Sequence, residues 1–129
     1  MTARLNEKAK KLIEGKNFAF LAVTLSDGKP LVTPVWIDHD GDLVLVNTAV
    51  GRVKQKHAGK GKHVSIAIAD QNNMYDHVTI QGRVVEQTTE GADAHIDKLA
   101  NKYTGAKKYE RSSPTEQRVI IKIEPLRVI

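Results

Sequence analysis

The sequence predicts a mainly β (α+β) fold, a six-stranded antiparallel barrel with an N-terminal helix and a second helix before the last strand. Three observations predict it. Short apolar runs recur along the chain, at 18–25, 31–38, 43–48, 63–70, 77–88 and 118–129, with a two-residue period in the fourth and the last. Asp-Gly pairs separate the first three runs, a signal for tight hairpins. The runs are consecutive, and such a series favours a closed antiparallel barrel over an open parallel sheet.

Each element has its own justification. Residues 3–14 place Leu5, Ala9, Leu12 and Ile13 on one helical face, with Thr2 as the expected N-cap and Gly15 as the stop. "FAFLAVTL" and "LVTPVWID" flank "SDGKP", and "HDGD" leads into "LVLVNT", so the first half reads as a three-stranded meander. After a basic run, "HVSIAIAD" alternates, and the polar loop "QNNMYD" leads into "HVTIQGRVVEQT", where Gly82 marks a bulge or bend. In residues 90–105, Ala92, Ile96, Leu99 and Tyr103 share a helical face that Gly105 closes. "RVIIKIEPLRVI" alternates until Pro125.

At 129 residues, 1–129 is expected to form a single domain large enough for one core. No apolar run approaches the roughly 20 residues of a membrane span, and no signal-peptide core is evident, so the expected location is the cytoplasm and no membrane partner is expected. The absence of cysteine excludes disulfides, thiolate ligands and thiol nucleophiles. The net charge of +5 favours anionic partners. Nucleic acid is not the expected one, because the basic run carries no aromatic residue on which bases would stack.

That run, "GRVKQKHAGKGK", holds Arg52, Lys54, Lys56, Lys60 and Lys62 without an acid. Thr48 ends a strand, Gly51 permits a turn, and Arg52 and Lys54 open a short helical or looped segment. A hydroxyl, a guanidinium fork and an ammonium within seven residues suit a phosphate monoester. The same cations also suit a simply solvated connecting helix. Pro34, inside "VTPVW", removes a ladder donor and so implies an edge, a bulge or a ligand beside the backbone. Trp36, the single tryptophan, suits either the core or an interface, or the wall of a site for a planar heterocycle. "NKYTGAKKYERSSP" reads as a helix end and exposed loop, or as a flap bringing Tyr103, Tyr109 or Arg111 over a ligand.

The five histidines (39, 57, 63, 77 and 95) lack metal-ligand spacing, and His95 is expected to be exposed on its helix. Asp38, Asp40 and Asp42 crowd a hairpin tip, where acids are common without any role. No nucleophile or acid–base pair stands out, so an enzyme built on this chain takes its reactive centre from a cofactor.

Together, "DGKPLVTPVW", "VNTAVGRVKQKH", "VTIQGRVVE", "HIDKLANKYTG" and "RVIIKIEP" resemble the pyridoxamine 5'-phosphate oxidase-like split β-barrel proteins. Within that superfamily they resemble the small deazaflavin-dependent oxidoreductases that use coenzyme F-420, and the resemblance covers nearly the whole chain. It implies a six-stranded split barrel that dimerises, with two cofactor sites at the interface. Thr33, Pro34, Val35 and Trp36 would lie along the ring, Asn47 and Thr48 would line the site, and Arg52 and Lys54, after Gly51, would bind the phosphate. Met74, Tyr75 and His77 would approach the ring from the same chain or the partner.

The chain is shorter than true pyridoxamine phosphate oxidases and lacks their Arg-Leu-x-Pro ending, so vitamin B6 chemistry is not expected. FMN shares the ring, ribityl chain and phosphate of F-420. The lactyl-oligoglutamate tail of F-420 adds negative charges that Lys56, Lys60 and Lys62 suit, which favours F-420 over FMN. The expected activity is hydride transfer from reduced F-420 to an unsaturated or conjugated small molecule, with an FMN-binding oxidoreductase or a flavin or F-420 carrier without turnover as the alternatives.

Overall fold

A computed structural model describes residues 3–129, so Thr2 lies outside the described residues. The elements run α1 (Glu7–Glu14), β1 (Ala19–Thr24), β2 (Pro30–Val35), β3 (Asp38–Asp40), β4 (Leu43–Ala49), α2 (Val53–His57), β5 (His63–Asp70), β6 (Asn73–Thr88), α3 (Ala92–Thr104) and β7 (Arg118–Val128). The cap of α1 is Asn6, whose side chain accepts from the Ala9 amide. As expected, Gly15 stops the helix, its N–H donating to the Lys11 carbonyl.

Seven antiparallel strands form one sheet, in the order β2-β1-β5-β6-β7-β4-β3. The expected strand 31–38 is therefore two strands, and the first half is not a meander. β1 pairs with β2 and β3 with β4, but β2 and β3 are the opposite edges of the sheet. Only residues 36 and 37 join those edges. Three peptide steps span at most roughly 11 Å, so the sheet must roll until its edges approach. The roll is not closed by hydrogen bonds, which corrects the closed barrel expected from strand spacing. Pro34 does sit on an edge strand, where its missing N–H costs no ladder bond to an outer neighbour.

Alternation decides what the roll encloses. Leu21, Val44, Val46, Ile66, Ile68, Ile80, Ile121 and Ile123 point inward and are almost fully buried. A one-residue register slip would turn each of them out of this core, and on strands whose outer face meets water it would cost about 1.5–3 kcal/mol per side chain. α1 adds Ala9, Leu12 and Ile13 to the same cluster. Gly82 lies at the expected bulge, opposite Pro125, where a Cβ would meet Ile123 Cγ2 at 2.6 Å. The expected loop 71–76 shrinks to a turn at 71–72, because β6 begins at Asn73. Outside the roll, Ala92 of α3 packs on Leu45 and Ile120. That leaves the outward residues of β4 and β7 sandwiched beneath a helix, and there the polar site forms.

Candidate functional site

The end of β2, the outer face of β4, the start of α2, α3 and the start of β7 surround a cleft of about 240 Å³. Phe18, Pro34, Val35, Trp36 and Ile96 make its apolar lining, and Asn47, Arg52, Lys54, Tyr109 and Arg118 its polar lining. The volume is below the roughly 300–1,000 Å³ of sites that enclose a whole cofactor-sized molecule. One chain therefore offers part of a wall rather than a complete pocket.

The aromatic wall is held from behind. Trp36 stacks on Tyr103 with ring centroids 5.2 Å apart and planes 6° from parallel, and Tyr109 meets it edge-on at 6.4 Å. Tyr103 is pinned in turn, donating its hydroxyl to the Asn17 carbonyl at 2.7 Å and accepting from the Ile37 amide at 3.2 Å. Burial pushes that hydroxyl above the ordinary tyrosine range. Lys102 donates to the Ile13 and Ile37 carbonyls, so α3 is stitched to the crossing at residues 36–37.

The cationic end centres on Arg118, only 3% exposed. Its Nε donates to Asn47 Oδ1 at 3.0 Å, its Nη1 to Glu116 Oε2 at 3.1 Å and to the Tyr109 hydroxyl at 3.5 Å. The Tyr109 ring lies under the guanidinium, 4.7 Å away. Arg52 reaches the other oxygen of Glu116 at 3.3 Å, so two guanidiniums converge on one buried carboxylate. Burial opposes the charge on Glu116, but hydrogen bonds from Ser112 and Arg118 outweigh it and hold the carboxyl below its usual range. Lys54 has no such partner among the described residues. Burial, with Arg52 and Arg118 nearby, pushes its ammonium below the ordinary lysine range. Three cations share one acid, and the surplus favours an anion.

Behind Asn47 the polar chain continues. Its amide nitrogen donates to the Ala92 carbonyl at 2.9 Å and lies 3.1 Å from His95 Nδ1, while His95 Nε2 lies 3.0 Å from Asp38 Oδ2. The His95 side chain is only 9% exposed, which corrects the expected exposed histidine: α3 turns this residue onto the sheet. Asp38 is not an idle turn acid either. Burial opposes its charge, but His95, the His39 amide and Lys98 outweigh it and hold the carboxyl well below the usual range. Asp42, also expected to be without a role, accepts from the Leu5 amide at 3.0 Å.

Of the residues singled out in the sequence, the cleft gathers Pro34, Val35, Trp36, Asn47, Arg52 and Lys54. Gly51 makes the turn before Arg52, at φ +95°. Thr48 does not join them. Successive strand residues face opposite ways, so Asn47 points at α3 and Thr48 into the roll, buried with its hydroxyl unpartnered. Thr33, opposite Leu21, also lies off the cleft, and Lys56 is exposed on α2. Met74 and Tyr75 are 67% and 93% exposed on the β5–β6 hairpin, with His77 beside them, and none lines the cleft of its own chain. Arg118, Glu116, Phe18 and Ile96 were not singled out for the site, although "RVIIKIEP" contains Arg118 and "HIDKLANKYTG" contains Ile96. The available signal for Arg118 was strand parity, which sets residues 118, 120 and 122 on the face away from the enclosed core.

A family model described as pyridoxamine 5'-phosphate oxidase matches residues 5–129 of this chain. An F-420 reductase of known structure superposes with a TM-score of 0.80 at 24% identity, over 97% of this chain and 98% of that one. A candidate pyridoxamine 5'-phosphate oxidase from Lactobacillus delbrueckii gives 0.68 at 16% identity, over 98% and 93% of the two chains. An FAD- and haem-binding protein from Mycobacterium smegmatis gives 0.63 at 13%, over 95% and 67%. At these identities the likenesses speak to the fold. No curated protein matches the chain.

Proposed function

This chain belongs to the pyridoxamine 5'-phosphate oxidase family of oxidoreductases, and from that premise we propose that it binds coenzyme F-420 as a homodimer and reduces an unsaturated or conjugated small molecule. One observation carries the reading: a cleft with an apolar, tryptophan-bearing lining also holds three converging cations, Arg52, Lys54 and Arg118. A planar ring ending in a phosphate matches both properties. The penalty on the Lys54 charge adds to the argument, because a bound anion would relieve it.

Pro34, Val35 and Trp36 would bear on the ring, and Arg52, Lys54 and Arg118 on the phosphate, with charge-assisted bonds of about 1.5–3 kcal/mol each. Hydride transfer is the chemistry such a cofactor supplies when bound. The chain's own part is to orient and to exclude water, and Tyr109 can also handle a proton. Its hydroxyl accepts from Arg118, which leaves its own hydrogen free, whereas the Tyr103 hydrogen is committed to Asn17.

The partial wall and the exposed apolar surface beside it support the dimer. Phe18, Phe20 and Val32 are 51%, 47% and 58% exposed just before β1, on β1 and on β2, next to Pro34. Met74, Tyr75 and His77 would complete the partner's cleft. Residence in the cytoplasm belongs to this proposal; among the described residues, no helix is long and apolar enough to cross a membrane.

Titration with F-420 and with FMN tests the reading, because Trp36 is the single tryptophan and reports directly from the wall. F-420 is expected to quench it at micromolar concentrations or below and to bind more tightly than FMN. Tighter binding of FMN would transfer the site to a flavin, and silence from both would remove the cofactor site. A monomer in sedimentation equilibrium would remove the dimer.

A further inference from the structure

We propose that His95 is a positioning residue for the cleft: held by Asp38 in its Nε2–H tautomer, it orients the Asn47 amide and, through that amide, the Arg118 guanidinium. The inference rests on reading the cleft as an anion site, and it follows from the roles each atom can play. The Ala92 carbonyl only accepts and Arg118 Nε only donates. The Asn47 side chain lies between them, so its nitrogen must face Ala92 and its oxygen Arg118. That nitrogen also meets His95 Nδ1 at 3.1 Å, which must therefore offer a lone pair. The ring proton then belongs on Nε2, donated to Asp38 Oδ2 at 3.0 Å. No alternative assignment satisfies all four contacts.

A second proton on His95 breaks the relay. Nδ1–H would face the Asn47 NH2, donor against donor. If Asn47 turns its oxygen to the ring, its NH2 faces Arg118 Nε and Ala92 loses its donor. If the ring swings away, Asn47 loses its support. In either case the tie that fixes the guanidinium plane is released, leaving Arg118 to Glu116 and Tyr109. The charged groups around this centre are Asp38 from β3, Lys98 from α3, which shares Asp38 Oδ2 at 3.3 Å, Lys102 one turn further along α3, and Arg118 from β7 beyond Asn47.

Nitrogen-15 NMR on the full chain tests this without any cofactor. Long-range ring correlations are expected to show the Nε2–H tautomer of His95 at neutral pH. As acid adds the second proton, the Arg118 Nε–H signal should move with the same midpoint. Across that step the F-420 dissociation constant should rise on the order of tenfold, the loss of one charge-assisted bond. His95→Gln cannot take up the proton, so its Arg118 signal should stay flat. The ratio of wild-type to variant affinity then cancels any titration of the cofactor's own acidic groups. An Nδ1–H tautomer, or an Arg118 signal indifferent to the His95 titration, overturns the inference. Should His95→Gln fail to fold, the wild-type spectra alone decide. A chain that binds neither F-420 nor FMN yet shows the coupled titration would retain the relay and refute the cofactor reading. One that binds F-420 with a flat Arg118 signal would do the reverse.

Discussion

Arg118 and Lys56 carry the same charge in very different surroundings. Arg118 is 3% exposed, and its guanidinium bonds Asn47, Glu116 and Tyr109. Lys56 is exposed on α2 and makes no ion pair among the described residues, and Lys60 and Lys62 are likewise exposed. The first region is a built site, in which each polar atom is placed by another. The second attracts anions at a distance but orients nothing. A count of basic residues weights the second region more heavily, whereas burial weights the first, because a buried cation must be paired and held.

The largest test of this contrast is Arg118→Met, which takes one shared partner from Glu116, Asn47 and Tyr109 together. Urea unfolding should show a loss of about 3–5 kcal/mol, against less than about 0.5 kcal/mol for Lys56→Met. Next comes Arg52→Ala with Lys54→Ala, which removes about 1.5–3 kcal/mol for each phosphate bond. F-420 affinity should fall 100-fold or more while the fold persists; an unchanged affinity would refute the phosphate assignment.

Asp38→Asn is a smaller change, at about 1.5–3 kcal/mol for a hydrogen bond to a charged group. Its signature lies in pH. The folded-state pKa of Asp38 is depressed, so its contribution is fully present above the unfolded value of about 3.9 and is lost as pH falls through the folded value. Thermal melts of the wild type should therefore lose stability below about pH 4, and the variant less so. The smallest effect belongs to Lys60→Ala with Lys62→Ala. It should weaken long-tailed F-420 about threefold at low salt, spare a tail-less analogue, and vanish as salt screens exposed charges. Equal weakening of both ligands would end the role of these lysines as a rail for an acidic tail.

Much of the fold was legible because its signals are local. Val64, Ile66 and Ile68 announce their strand by alternation, Gly28 and Gly41 take the positive φ of their turns, and Gly105 closes α3. The crossing at 36–37 was not legible. "PVWID" continues the period of a strand, and nothing local says that Val35 and Asp38 belong to opposite edges. In the site, the part carried on one short stretch was visible: Pro34 to Trp36, and Arg52 with Lys54. The part that pairs Asp38 with His95, 57 positions away, or Asn47 with Arg118, 71 away, had no local signal. Thr48 shows the opposite error. It is adjacent to the site in sequence, and strand alternation turns it away.

By itself, then, the sequence determined the two longer helices, most of the strands and the family, because period, turn chemistry and motif order are written within a few residues. Tertiary structure alone decided which polar side chains share a buried volume. Rolling the sheet under α3 removes Asp38, His95, Asn47 and Arg118 from water together, and each must then find its partner among the others.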